Sequence, residues 1–180
     1  MLFRSSQIAR YGGEVVAAEH PGYGASDGPP SVGSLLAAAE AVAAVAVRMA
    51  RDRGLPLVVF GSSLGTFCAV HVAASLPVDR LVLRAPPTTL AAAAQQHFRW
   101  LPVGLLLAHR FDNLTPAPRV QCPALVVHGD RDGIVPLALG QALAAALPNA
   151  RCFVVAGCGH NDLSLAMEGP AANELRAFLP

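Results

Sequence analysis

The sequence is poor in charge: Asp, Glu, Lys and Arg make up 14% of its 180 residues, where an average soluble domain has roughly 25%. The net charge is +1 and the basic residues are scattered. No cationic stripe exists on which a nucleic-acid backbone could lie, and no nucleic-acid partner is expected. Long apolar runs are missing too. No stretch reaches the about 18 consecutive apolar residues of a membrane-spanning helix, and Leu101 to Ala108 is short and holds Pro102 and Gly104. No transmembrane segment is therefore expected. The first residues lack the charged start and apolar core of a secretory signal, which makes a cytoplasmic location the expectation. Cys68, Cys122, Cys152 and Cys158 form no C-x-x-C pair and are expected as reduced thiols. His71, His97, His109 and His128 show no metal-ligand spacing such as H-E-x-x-H, so neither a metal nor another cofactor is expected. Repeats, linkers and low-complexity tails are absent, and the length suits a single domain, residues 1–180.

What is present is apolar. Hydrophobic residues make up 53% of the chain, much of them alanine, which favours helices and tight packing. Glu14–Glu19 reads as a short buried strand. The turn-rich His20–Pro30 follows, and Ser31 is a candidate N-cap. From Leu35 to Arg53 apolar residues recur at helical spacing, with Gly54 as a stop signal. Leu55–Val59, Asp79–Arg84, Ala124–Val127 and Arg151–Ala156 read as strands. Thr66–Ala74, Pro136–Leu147 and Glu168–Phe178 read as helices. This alternation predicts a mostly parallel sheet of about five strands with helices on both faces. The rhythm breaks at about 85–121, where prolines and aromatic residues crowd the chain. An excursion of that length is usually functional; it reads as a small cap-like insertion or as an extra helix on the sheet edge.

Three motifs carry chemistry. The first is Gly61-Ser62-Ser63-Leu64-Gly65, a G-x-S-x-G pattern between a strand and a helix, which lifts the central serine above the sheet edge. Downstream lie His128-Gly129-Asp130-Arg131-Asp132-Gly133-Ile134-Val135-Pro136 and Gly157-Cys158-Gly159-His160-Asn161-Asp162, each after a predicted strand. A serine hydroxyl is a poor nucleophile until an imidazole takes its proton, and the imidazole needs a carboxylate to fix its tautomer. The order Ser, Asp, His assigns Ser63 as nucleophile, Asp132 as orienting carboxylate and His160 as general base and acid. Asp130 reads as a turn residue. The backbone N–H of Leu64 is the oxyanion donor that follows the nucleophile.

Together with Pro21-Gly22-Tyr23-Gly24-x-Ser26-x-Gly28-x-Pro30-Ser31, these motifs resemble the α/β-hydrolases. The resemblance is to the branch that includes eukaryotic protein depalmitoylases and their bacterial relatives. Arg110-Phe111-Asp112-Asn113-Leu114 with Cys122-Pro123, and His160-Asn161-Asp162-Leu163, also look like that branch. The resemblance covers nearly the whole chain and implies an α/β-hydrolase fold and a serine hydrolase acting on a carboxylic ester or thioester. The substrate is then a small molecule or an acylated partner. Tyr23 either lines the pocket or packs on its turn. His97, Phe98, Trp100 and Leu105 to Leu107 are candidates for an acyl-binding wall or for plain packing.

One part of the family pattern is not in this sequence. Such enzymes carry a His-Gly-Asn-type loop that donates a second oxyanion N–H. Here Met1–Arg10 resembles the helix just after it, so the first three family strands are expected to be lacking, through a natural truncation or a start at an internal methionine. Loss of one oxyanion donor costs roughly 10²–10³ in turnover. The Glu14–Glu19 strand would also lack a central neighbour. The alternatives are a catalytically impaired or silent remnant, either a binding module or a truncated gene product without function, and a peptidase of the same fold.

Overall fold

The strands lie where β-branched and leucine residues run together between turn residues. In the structure, a computed structural model describing residues 8–17, 19–98, 100, 110–165 and 168–180, four such segments pair. They are β1 (Val58–Ser62), β2 (Arg80–Arg84), β3 (Ala124–Gly129) and β4 (Ala150–Val155), in that spatial order. All three pairings are parallel; Ser62 lies opposite Arg84, and Arg84 opposite Val127. Right-handed crossovers between adjacent parallel strands put the connecting helices on one face. Helix α2 (Gly65–Ser75) links β1 to β2, and α4 (Leu137–Ala146) links β3 to β4. Both share a buried cluster with Leu81, Leu83 and Val126. The opposite face carries α5 (Pro170–Phe178), whose Leu175 and Phe178 pack with Val82, Leu125 and Val127. Alternate strand residues thus serve opposite cores, as the two-residue repeat of a strand requires. Leu81, Leu83 and Leu125 are fully buried, each stabilising the fold by about 1.5–3 kcal/mol.

Helix α1 (Val32–Arg53) begins at Ser31. The Ser31 hydroxyl accepts from Ser34 N–H at 3.0 Å and Ser34 Oγ accepts from Ser31 N–H at 2.9 Å, which satisfies donors that a helix start otherwise leaves open. Gly54 closes it at φ 63, a left-handed conformation that glycine adopts without a Cβ penalty. Its Leu35, Ala39 and Ala43 pack against Phe67, Cys68 and Val72, and Glu40 bonds His71 at 2.6 Å. By length and composition α1 is also apolar enough to cross a membrane, although Glu40 and Arg48 interrupt its apolar run.

Two expectations are corrected. Among the described residues the sheet has four strands, not about five, and Glu14–Glu19 forms no ladder. A strand exists through its neighbour, and no described strand lies beside this segment. Val15 and Val16 are instead exposed, at 43% and 42%, and Glu14 pairs with Arg53. The excursion at 85–121 contains α3 (Leu90–His97), a 3-10 turn at Ala117–Arg119 and an antiparallel bridge between Thr89 and Asp112. Residues 101–109, on which much of the cap reading and its Leu105 to Leu107 fall, lie outside the described residues.

Gly140 sits in α4 directly over His128 of β3. A Cβ at this position would be 2.9 Å from His128 Cε1 and closer still to Nδ1. In an open helix Gly→Ala stabilises by about 0.5–1 kcal/mol. Here Gly140→Ala is expected to reverse sign and destabilise by about 1–3 kcal/mol through overpacking, read as a lower midpoint in urea unfolding.

Candidate active site

Parallel pairing places the carboxyl ends of all four strands along one edge, where ligands bind in open α/β sheets. Ser63 follows β1 directly and takes φ 51, a left-handed conformation that costs a non-glycine residue roughly 1–2 kcal/mol. Its neighbours hold it there. Ser63 N–H donates to Arg84 O at 2.8 Å, and its carbonyl accepts from Thr66 N–H at 3.0 Å and Thr66 Oγ1 at 2.6 Å. Asn113 Nδ2 donates onward to Thr66 Oγ1 at 3.1 Å and to Pro87 O at 2.8 Å. The sharpness of the turn needs Gly61, where a Cβ would sit 2.6 Å from Ala69 Cβ and 2.8 Å from Thr66 Cα. Leu64 then opens α2, at a helix end whose first N–H groups have no intrahelical acceptor.

His160 lies in the loop after β4, with Nε2 3.0 Å from Ser63 Oγ and Nδ1 2.7 Å from Asp132 Oδ2. Because Asp132 accepts, Nδ1 carries the proton and Nε2 faces the serine hydroxyl as the acceptor. Asp132 and His160 are each 8% exposed. The second carboxylate oxygen, Oδ1, accepts from Ile134 N–H at 2.9 Å and Val135 N–H at 2.8 Å. Burial by itself pushes the Asp132 carboxyl upward, but the bonds from Val135, His160 and Ile134 outweigh it and leave it below the ordinary carboxylate value. Asp130 accepts from Gly157 N–H at 2.7 Å, tying the acid-bearing loop to the end of β4.

The sequence reading brought Ser63, Asp132 and His160 together, and the structure places His160 within hydrogen-bonding distance of both the other two. The described candidates for substrate contact are exposed. Tyr23 is 61% exposed on its turn, Phe98 is exposed at the end of α3, and Trp100 is 81% exposed beyond it. The His97 side chain lies outside the described residues. Sequence reasoning passed over Arg84 and gave His128 and Asn113 no part in the site. The available signal was a charged or polar residue at the end of an apolar strand or beside a Pro-rich turn.

His128 is fully buried beside the carboxylate. Nε2–H donates to Val135 O at 2.8 Å and lies 3.3 Å from Asp132 Oδ2. Nδ1 is buried with no hydrogen-bond partner among the described residues. Burial pushes its pKa below the ordinary imidazole value, with Val135 O and Asp132 opposing in part.

A family model described as alpha/beta hydrolase fold matches residues 104–166. An uncharacterized Mycobacterium tuberculosis protein, Rv2307c, is 36% identical over 92% of this chain and 59% of its own length. A zebrafish lysophosphatidylserine lipase, ABHD12, is 28% identical over 76% of this chain and 40% of its own. The crystal structure of an alpha-beta serine hydrolase homologue from Coxiella burnetii superposes with a TM-score of 0.58 at 21% identity, covering 88% of this chain and 64% of that one. The chain has the α/β-hydrolase fold. It spans less than two thirds of the length of these curated relatives.

The pKa directions fix a pH dependence. The folded state refuses a proton at His128 that the unfolded chain accepts below about pH 6.5, so stability falls on acidification from there towards the lower folded value. Asp132 adds a further loss where pH falls below its unfolded value of about 3.9 towards the lower folded value. Urea unfolding is expected to give a lower free energy at about pH 5.5 than at about pH 7.5. In His128→Leu that difference is expected to shrink. An unchanged difference in the variant contradicts the assignment.

Proposed function

We propose that the chain is a serine hydrolase that cleaves a carboxylic ester or thioester through an acyl-enzyme. The observation that carries this reading is the continuous hydrogen-bonded series Ser63 Oγ, His160, Asp132, at 3.0 and 2.7 Å. Ser63 Oγ attacks the carbonyl carbon while its proton passes to His160 Nε2. The resulting imidazolium is stabilised by Asp132, which stays ionised. Negative charge develops on the carbonyl oxygen, towards which the Leu64 N–H is the donor the elbow supplies. Collapse of the tetrahedral intermediate breaks the bond to the leaving alcohol or thiol, which takes the proton from His160. Water then attacks the acyl group with His160 again as base, and Ser63 is freed with its proton.

The low pKa of Asp132 suits this role, because an ionised carboxylate is required throughout. Ester cleavage is supported by a relative named as a lysophosphatidylserine lipase; thioester cleavage is supported by the motif resemblance to depalmitoylases. The exposed Phe98 and Trp100 are candidates for contact with an acyl chain.

Hydrolysis of p-nitrophenyl esters, acyl thioesters and peptide anilides by one preparation tests the reading. The ester and thioester are expected to be cleaved and the anilide not. Asp132→Asn, which keeps the shape but favours the wrong imidazole tautomer, is expected to lower kcat about 10⁴-fold. Cleavage of the anilide alone favours a peptidase. Ester turnover unchanged in Ser63→Ala contradicts the mechanism.

A further inference from the structure

The nucleophile and the base come from segments 97 positions apart, and something must set their separation. Arg84, the last residue of β2, touches both. It is only 3% exposed, and a buried guanidinium is tolerated only where its N–H groups meet acceptors. Nε donates to Leu163 O at 2.7 Å, an Nη to His160 O at 2.5 Å, and the other Nη to Ser62 Oγ at 3.1 Å. Two of these acceptors are backbone carbonyls of the histidine loop, one belonging to His160 itself. The third is the residue before the nucleophile. The main chain of Arg84 completes the link, since its carbonyl accepts from Ser63 N–H at 2.8 Å.

We propose that Arg84 is a positioning residue for the reaction, holding the His160 loop at hydrogen-bonding distance from Ser63. The inference rests on the hydrolase reading for its effect on turnover, though not for its effect on geometry. Several features support a positioning role over a purely structural one. The side chain crosses from one catalytic segment to the other. Its fork of planar donors reaches three acceptors, which the compact ammonium of lysine cannot match. Its backbone is pinned by the adjoining residue as well. Ala85 takes φ 47, fully buried, with its N–H bonded to Val127 O at 2.9 Å. From the other side the histidine loop is held by Arg131 N–H, which donates to Cys158 O at 3.0 Å. That contact fixes the start of the loop, and Arg84 fixes the imidazole-bearing residue and the turn beyond it. Displacing a reacting group by about 1 Å is enough to cost roughly 10²-fold in rate.

The test uses Arg84→Lys, with Arg84→Met as a second variant, each checked for folding by circular dichroism and thermal melting. Two readouts are taken. One is the labelling of the chain by a fluorophosphonate, resolved into the first-order rate at saturation and the probe concentration for half-saturation. The other is the downfield proton resonance of the His160 Nδ1–H bonded to Asp132, assigned by its loss in His160→Gln. The expected result is a first-order labelling rate lowered roughly 10²-fold with half-saturation little changed, and a lost or shifted His160 resonance. A folded variant that keeps both the labelling rate and the resonance overturns the proposal. So does unfolding of both variants, which assigns Arg84 to stability alone, or absence of the resonance from the parent chain. A parent chain that is not labelled but shows the resonance, with its loss in Arg84→Lys, leaves the positioning role standing while the hydrolase reading fails.

Discussion

Ser63, Asp132 and His160 each stand past the carboxyl end of a strand, so the parallel register of the sheet determines whether they can meet. Ser63 follows β1, Asp132 follows β3 and His160 follows β4. Because Ser62, Arg84 and Val127 lie in register across three strands, those ends form a row. A slip of one residue in any pairing would turn the strand's core residues to the other face and carry its catalytic loop out of line. The two cores that fix the register are the same leucine and valine positions that bury the sheet. Packing and chemistry are therefore not separable in this molecule.

Around Asp132 the low local dielectric makes each polar contact consequential. One carboxylate oxygen is taken up by two backbone N–H groups, and the other by His160, with His128 close by. An unpaired buried charge costs far more than a paired one. The backbone donors keep the carboxyl ionised, and His128 stays neutral. In the proposed reaction the charge formed on His160 would meet the carboxylate of Asp132. Ser63 and Ala85 both hold left-handed backbone, and such strain persists where surrounding bonds over-determine it; here those bonds run to Arg84 and Val127.

The sequence made the elbow, the acid and base loops, and four strands readable, because apolar runs bounded by glycine and proline are local signals. Helices α1, α2, α4 and α5 fell within a few residues of their predicted bounds for the same reason. Glu14–Glu19 was read as a strand on its composition although the family pattern left it without a central neighbour, and without one it forms no ladder among the described residues. Arg84 stayed hidden for a related reason. An arginine closing an apolar strand reads as the point where the chain meets solvent, and only the register with Ser62 and the return of the histidine loop bury it. His128 was judged on metal spacing, whereas its surroundings are set by Gly140 from a later helix. Phe98 and Trp100 were legible as candidates for an acyl-binding wall, and both are exposed.

The central claim is that Ser63, His160 and Asp132 act as one unit. It is tested most directly by trapping the intermediate that only such a unit forms. The chain is mixed with a p-nitrophenyl ester, quenched in acid within the first turnover, digested and mapped by mass spectrometry. The account predicts one acyl group, on Ser63, appearing with a burst of p-nitrophenol and absent from a His160→Gln chain. Acylation at another residue, or ester turnover without an acyl group on Ser63, would contradict it.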